Sequence, residues 1–272
     1  MRERGVVSVG MSPPPRRAKS ESDPIKNLLK RLRAYGTNLY RPRLLDYWQA
    51  GRRVYTSPEP IFSRLASGDR TNFAAYAEEF RSLRAGLSVR AGSSEDLGRI
   101  PMAMTSEEAL LLYSLVRSRR PLRVIETGVA QGVSTYFLLH ALRRNGAGSL
   151  LSFDVSRSAG LLLSAEERSD WQLADLDPRR VRTEFKARIQ REATVDLFIH
   201  DSDHSYRYQW FEYSTMFPHM APGSLLTSDD VDGSFAFLDF CNRRGLESYF
   251  LVSPTKVFGI AEVGGSTHET NG

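Results

Sequence analysis

Two short stretches concentrate this chain's capacity for acid–base and cation chemistry. One is His200-Asp201-Ser202-Asp203-His204-Ser205-Tyr206, directly after an apolar run; the other is Asp229-Asp230, after a second apolar run. Carboxylates brought together in this way repel one another unless protons or a cation neutralise them. Oxygen-only donors suit a hard divalent ion such as Mg²⁺, Mn²⁺ or Ca²⁺. The carboxylates of these two stretches are therefore candidate oxygen donors for such an ion. Such an ion would hold vicinal oxygens of a substrate and lower a hydroxyl's pKa. Asp203 or His204 would then be near enough to take the proton, and both stand as candidate catalytic bases. The structural alternative is that Asp201 and Asp229 cap strand ends and His204 makes a packing hydrogen bond.

A third stretch supplies a binding loop. Leu122-Arg123-Val124-Ile125 reads as a strand, followed by Glu126, Gly128, Gly132 and Ser134-Thr135, then an apolar helical pattern. Glycine permits positive φ and close approach of a ligand, and a helix N-terminus offers unpaired N–H groups. The spacing lacks the Gly-x-Gly-x-x-Gly of a dinucleotide fingerprint and the Gly-Lys-Ser/Thr of a P-loop. Glu126 stands where it could accept hydrogen bonds from a ligand. Asp154, at the end of the next strand, is acceptor-only and suits the two hydroxyls of a ribose.

The elements that must position these residues alternate. Strands are predicted at 124–126, 149–154, 171–175, 195–200, 224–227, 249–252 and 257–263. Helices fall between them at 134–144, 178–192 and 205–220. A helix opening at Thr105 or Ser106, with acids in its first turn, leads into the first strand. This order implies a Rossmann-like, doubly wound α/β fold: a seven-stranded, parallel sheet with helices on both faces and an additional N-terminal helical region. Ligands of such sheets bind beyond the carboxyl ends of the strands. Glu126, Asp154, Asp175, Asp201 and Asp229 all lie at such ends. The domain reading is a tail over 1–24, a helical region over 25–120 for capping, dimerisation or substrate selection, a binding body over 121–265 and a short tail over 266–272.

The motifs carry a resemblance. Residues 122–263 resemble class I S-adenosylmethionine-dependent methyltransferases, and most of all the small-molecule O-methyltransferases whose fourth strand ends in Ile-Asp-Gly-Asp-His-Ser-Tyr. Their opening loop, Glu-x-Gly-x-x-x-Gly-x-Ser-Thr, is similar to Glu126–Thr135. Their later Asp-Asp pair corresponds to Asp229-Asp230. The resemblance implies S-adenosylmethionine over Gly128–Gly132, with Asp154 on its ribose and Glu126, Ser134, Asp175 and Asp201 in the same wall. In the metal-dependent, antibiotic-sugar-type members it implies Mg²⁺ on Asp201, Asp229 and Asp230, with Asp203 as base. Ser202 replaces the usual glycine and His200 an apolar residue. The implied reaction is methyl transfer to a hydroxyl of a small molecule, a sugar or another natural-product intermediate.

Composition narrows the rest. The chain has 272 residues and is 41% hydrophobic, enough for a substantial core. Residues 1–45 carry 11 Lys/Arg against 3 Asp/Glu, whereas the remainder carries 26 against 29. The basic character therefore belongs to the N-terminal segment, which argues against a nucleic-acid partner for the body. Ile25, Leu28, Leu29 and Leu32 form a short apolar stripe with Lys and Arg opposite. Contact of residues 25–40 with an anionic membrane surface is one reading. Packing on the body or on a second copy is preferred, because the stripe lacks Trp and Phe. A lone cysteine, Cys241, excludes an internal disulfide, and a reducing, cytoplasmic setting fits. Two rival functions are a nicotinamide-dependent oxidoreductase, which this loop does not support, and a non-catalytic scaffold that docks through the basic helix.

Overall fold

The computed structural model describes residues 53–68, 70–92, 104–253 and 256–264. The basic tail, the stripe at Ile25–Leu32 and the tail over 266–272 lie outside the described residues. Within them the elements run β1 (Val54–Tyr55), α1 (Glu59–Leu65), α2 (Phe73–Arg90), α3 (Ser106–Arg119), β2 (Arg123–Thr127), α4 (Val133–Asn145), β3 (Ser149–Asp154) and α5 (Ala165–Ser169). They continue with β4 (Trp171–Asp175), α6 (Val181–Ile189), β5 (Val195–His200), α7 (Tyr206–Met216), β6 (Met220–Ser228), α8 (Ala236–Arg244), β7 (Ser248–Val252) and β8 (Val257–Glu262). No described helix is long and apolar enough to cross a membrane.

The sheet order is β1-β7-β8-β6-β5-β2-β3-β4. Two features differ from the sequence reading. There are eight strands, because Val54 and Tyr55 pair in parallel with Phe250 and Leu251. The sheet is mixed, because β8 runs antiparallel to both β6 and β7. The physical reason is the short link from β7 to β8, which leaves room for a hairpin but not for a crossover helix.

Alternation along each strand splits the core between the two faces. Val124, Leu150, Leu197, Leu225 and Leu251 face one cluster, with Phe62, Phe80, Leu87, Leu111, Tyr113 and Phe137 from α1–α4. Ile125, Leu151, Phe198, Leu226 and Phe250 face the other, with Phe185, Tyr213, Phe237 and Phe240 from α6–α8. Each such fully buried side chain contributes roughly 1.5–3 kcal/mol of transfer free energy.

The described N-terminal helices therefore supply much of one face of the sheet. Phe80 of α2 lies 4.4 Å, ring to ring, from Phe137 of α4. Glu79 of α2 accepts from Tyr113 Oη at 2.6 Å and from Arg117 Nε at 2.8 Å on α3. Arg90, at the end of α2, donates to Glu167 of α5 at 2.6 Å. Helix α3 opens with a capping box: Thr105 Oγ1 accepts the Glu108 N–H at 3.3 Å, and the Glu108 carboxylate accepts the Thr105 N–H at 2.7 Å. That box also fixes Glu108 at the start of the helix that leads into β2.

Candidate active site

The strand ends are joined laterally one residue beyond the strands. Gly128 N–H bonds to Phe153 O at 2.9 Å, Asp201 N–H to Thr127 O at 2.8 Å, and Asp229 N–H to His200 O at 2.9 Å. These bonds pin the loops after β2, β3, β5 and β6 side by side at one sheet edge. Above them opens a cavity of about 890 Å³. Gly128, Asp154, Asp201, Asp203, His204, Asp229 and Asp230 all line it, so the structure brings most of the expected site residues together.

Four expected residues are not in its wall. Glu126 is wholly buried. Its carboxylate takes the Ser134 hydroxyl, the Thr135 hydroxyl at 2.8 Å and the Ser152 hydroxyl at 2.7 Å. The acid at the N-terminus of α4 is thus the protein's own, and burial raises the Glu126 pKa against those three hydrogen bonds. The reading of Glu126 and Ser134 as ligand contacts is corrected accordingly: they fasten β2, β3 and α4 beneath the loop. Gly132 has φ 92°, and a Cβ there would meet Gly160 Cα at 2.9 Å, so backbone packing, not a ligand, requires it. Asp175 pairs in register with Asp154 across β3 and β4. It lies on the exposed sheet edge, because β4 has no further neighbour.

Gly128 also answers to a neighbour. At its φ of 80°, a Cβ would lie 1.9 Å from the Asp201 carbonyl oxygen. Asp154 holds the loop itself. Its Oδ2 accepts the Val129 N–H at 2.7 Å and the Ala130 N–H at 3.1 Å, and its Oδ1 accepts the Ser156 N–H at 2.7 Å. Ala130, a non-glycine residue at φ 46°, is kept in that strained conformation by this carboxylate. A carboxylate has about four acceptor directions, and these three bonds leave one for a ligand hydroxyl.

At the other end of the cavity the acids meet a cation that sequence reading missed. Lys256, from the turn between β7 and β8, donates through Nζ to Asp229 Oδ2 and lies 3.7 Å from Glu108 Oε2. Asp229 and Glu108 are both buried. Burial opposes charge on Lys256, but Asp229, Glu108 and Asp201 overcome it and raise its pKa. Burial and then Asp229 raise Asp201 well above the usual carboxylate range and raise Glu108 to about 8. Three carboxylates facing one ammonium are not all ionised. The Mg²⁺ centre expected on Asp201, Asp229 and Asp230 does not fit these residues, because a lysine already sits on Asp229. Among the described residues no group of three His, Cys, Asp or Glu is arranged to hold a metal.

The two candidate bases differ. Asp203 is exposed, and its Oδ1 accepts the Ser205 N–H at 2.9 Å. His204 Nε2 lies 3.8 Å from both Asp201 Oδ1 and Asp230 Oδ2, and its buried Nδ1 has no hydrogen-bond partner. Burial, then His200, lowers the His204 pKa, so its imidazole is neutral at pH 7.

Glu212 of α7, also missed from sequence, ties the floor together. It accepts from Thr127 Oγ1 at 2.7 Å and Ser202 Oγ at 3.0 Å, and it meets His200 Nδ1 at 2.7 Å. The two departures from the family motif, His200 and Ser202, therefore share one buried carboxylate. A sequence signal existed: an acid six residues into a helix that starts directly after the motif.

A doubly wound sheet, a glycine bend after β2 held by the acid ending β3, and further acids after β5 and β6 define the class I S-adenosylmethionine-dependent methyltransferase fold. Residues 125–231 match the family model described as a methyltransferase domain. Solved structures agree at the level of fold. An O-methyltransferase from Bacillus cereus in complex with S-adenosylhomocysteine superposes with a TM-score of 0.54 at 15% identity, covering 67% of this chain and 90% of its own. The O-methyltransferase TomG from Streptomyces achromogenes, involved in tomaymycin synthesis and solved with S-adenosylmethionine, gives a TM-score of 0.50 at 19% identity, covering 76% and 96%. No curated protein matches the chain.

Proposed function

We propose that this protein moves a methyl group from S-adenosylmethionine to a hydroxyl oxygen of a small molecule. The observation that carries the reading is the single cavity that joins the Asp154-held loop to His204 and Asp203. Its volume of about 890 Å³ lies in the usual range for a cofactor or ligand site, roughly 300–1,000 Å³. The donor set suits the cofactor. Phe153, Leu161, Leu176 and Val181 contribute an apolar lining that suits an adenine, and the free acceptor direction of Asp154 suits a ribose hydroxyl.

When bound, S-adenosylmethionine supplies an electrophilic methyl group on a sulfonium. The chain's own part is positioning and proton removal. His204 is the base this geometry favours. Its imidazole is neutral, it lines the cavity, and Asp230 stands 3.8 Å from Nε2 to stabilise the imidazolium once it has taken the hydroxyl proton. Asp203 spends one oxygen on the Ser205 N–H of its own loop. Magnesium has no part in this proposal, since the acids do not form a centre for it. The nicotinamide alternative still lacks its glycine fingerprint, and a scaffold role leaves the lined cavity unexplained.

Titration calorimetry with S-adenosylhomocysteine tests the reading. Binding is expected, weakened at least about tenfold in Asp154→Ala, which removes the loop's carboxylate. No heat at millimolar ligand would overturn it. His204→Ala is expected to keep that binding and to lose about 10²–10⁴-fold in methyl transfer to any accepted hydroxyl.

A further inference from the structure

We infer that the Lys256 ammonium is a built-in cation that takes the position a divalent metal would need among Asp201, Asp229 and Glu108. The inference rests on the methyltransferase reading for its meaning but not for its geometry. Lys256 comes from the β7–β8 turn, far in sequence from both acid motifs, and its backbone is clamped by one residue. Ser253 Oγ accepts the Lys256 N–H at 3.1 Å and donates to the Lys256 carbonyl at 2.9 Å, and Ser253 N–H bonds to that same carbonyl at 2.9 Å. The side chain is therefore aimed before any ligand arrives. It is largely buried, with 11% of its surface exposed, and Nζ reaches Asp229 Oδ2 and lies 3.7 Å from Glu108 Oε2.

Sterics and electrostatics both keep a metal out. An ion coordinated by Asp229 would share that carboxylate with an ammonium in hydrogen-bond contact. Two cations a few ångströms apart in a partly buried site repel each other strongly. The other oxygen of Asp229, Oδ1, is buried without a hydrogen-bond partner, and so is Glu108 Oε1. These unpaired oxygens are what a metal would claim once the lysine is gone. Lys256 is thus a positioning residue. It holds Asp229 in place, and it bridges that acid to Glu108 on α3, a helix outside the matched domain.

Mn²⁺ binding followed by electron paramagnetic resonance on the full chain tests the inference, with S-adenosylhomocysteine calorimetry run on the same samples. Wild type is expected to leave Mn²⁺ free, and Lys256→Arg to behave like wild type. Lys256→Met is expected to bind Mn²⁺ at least about tenfold more tightly than wild type and to gain melting temperature when Mn²⁺ is added. Tight Mn²⁺ binding by wild type that Asp229→Asn abolishes would overturn the inference, and this arm needs no folded lysine variant. A folded Lys256→Met that binds no more Mn²⁺ than wild type would overturn it too. Failure to bind S-adenosylhomocysteine would instead remove the methyltransferase reading and leave the metal result standing.

Discussion

Glu212, in the floor of the cavity, and Glu108, behind it, each have their own expected signature. Glu212→Ala would leave His200, Thr127 and Ser202 facing a buried gap. Unsatisfied buried groups cost about 1–3 kcal/mol each, so a loss of about 3 kcal/mol in urea unfolding is expected. Glu108 titrates. Its folded pKa of about 8 lies above its ordinary 4.5, so the folded state holds an extra proton between those values. The stability it contributes is present below 4.5 and is lost as pH rises through about 8. Glu108→Gln keeps the neutral shape. The melting temperature of wild type relative to this variant is expected to fall across that window, and a constant difference would show that Glu108 titrates normally. At this scale the sequence was half legible. Asp201, Asp203, His204 and Asp229 announced themselves by sitting at the ends of apolar runs. Lys256 did not, because only the antiparallel return of β8 carries it to the acids, and nothing in its local sequence marks it. Glu126 misled for a related reason: a strand-end acid can point under its loop as readily as over it.

Among the elements, the loop after β2 makes the sharpest demand on residue type. Gly128→Ala would set a Cβ against the Asp201 carbonyl while holding φ at 80°. Backbone strain of about 1–3 kcal/mol is expected before any clash is relieved. The end of β5 must shift, so binding of S-adenosylhomocysteine is expected to weaken along with stability. Calorimetry and thermal unfolding of the one variant check both, and an unchanged affinity would mean that the loop and the Asp201 end move independently. Seven strands and the helices between them could be read from apolar runs separated by glycine turns and charged amphipathic segments. The two-residue β1 could not, since Val54-Tyr55 becomes a strand only by pairing with β7. Nor could the direction of β8, which depends on the length of the turn before it and not on its own residues.

Across the whole molecule, α2 and α3 share a core with α4 and the sheet. Phe80→Ala empties a site between Tyr113 and Phe137 and is expected to cost about 3–5 kcal/mol. Because that site joins the N-terminal helices to the sheet, the loss is expected in one cooperative transition; two separated transitions in calorimetry would show independent units. This bears on where the protein can be cut or exchanged. The stretch at 125–231 that matches the family model keeps α4 but omits α1–α3, which complete that face of the sheet, as well as the final hairpin that delivers Lys256. Grafted alone into another polypeptide, it would arrive with greasy side chains that α1–α3 cover, such as Phe137 beneath Phe80, facing water. The smallest transplantable unit is accordingly larger than the stretch that matches the family model.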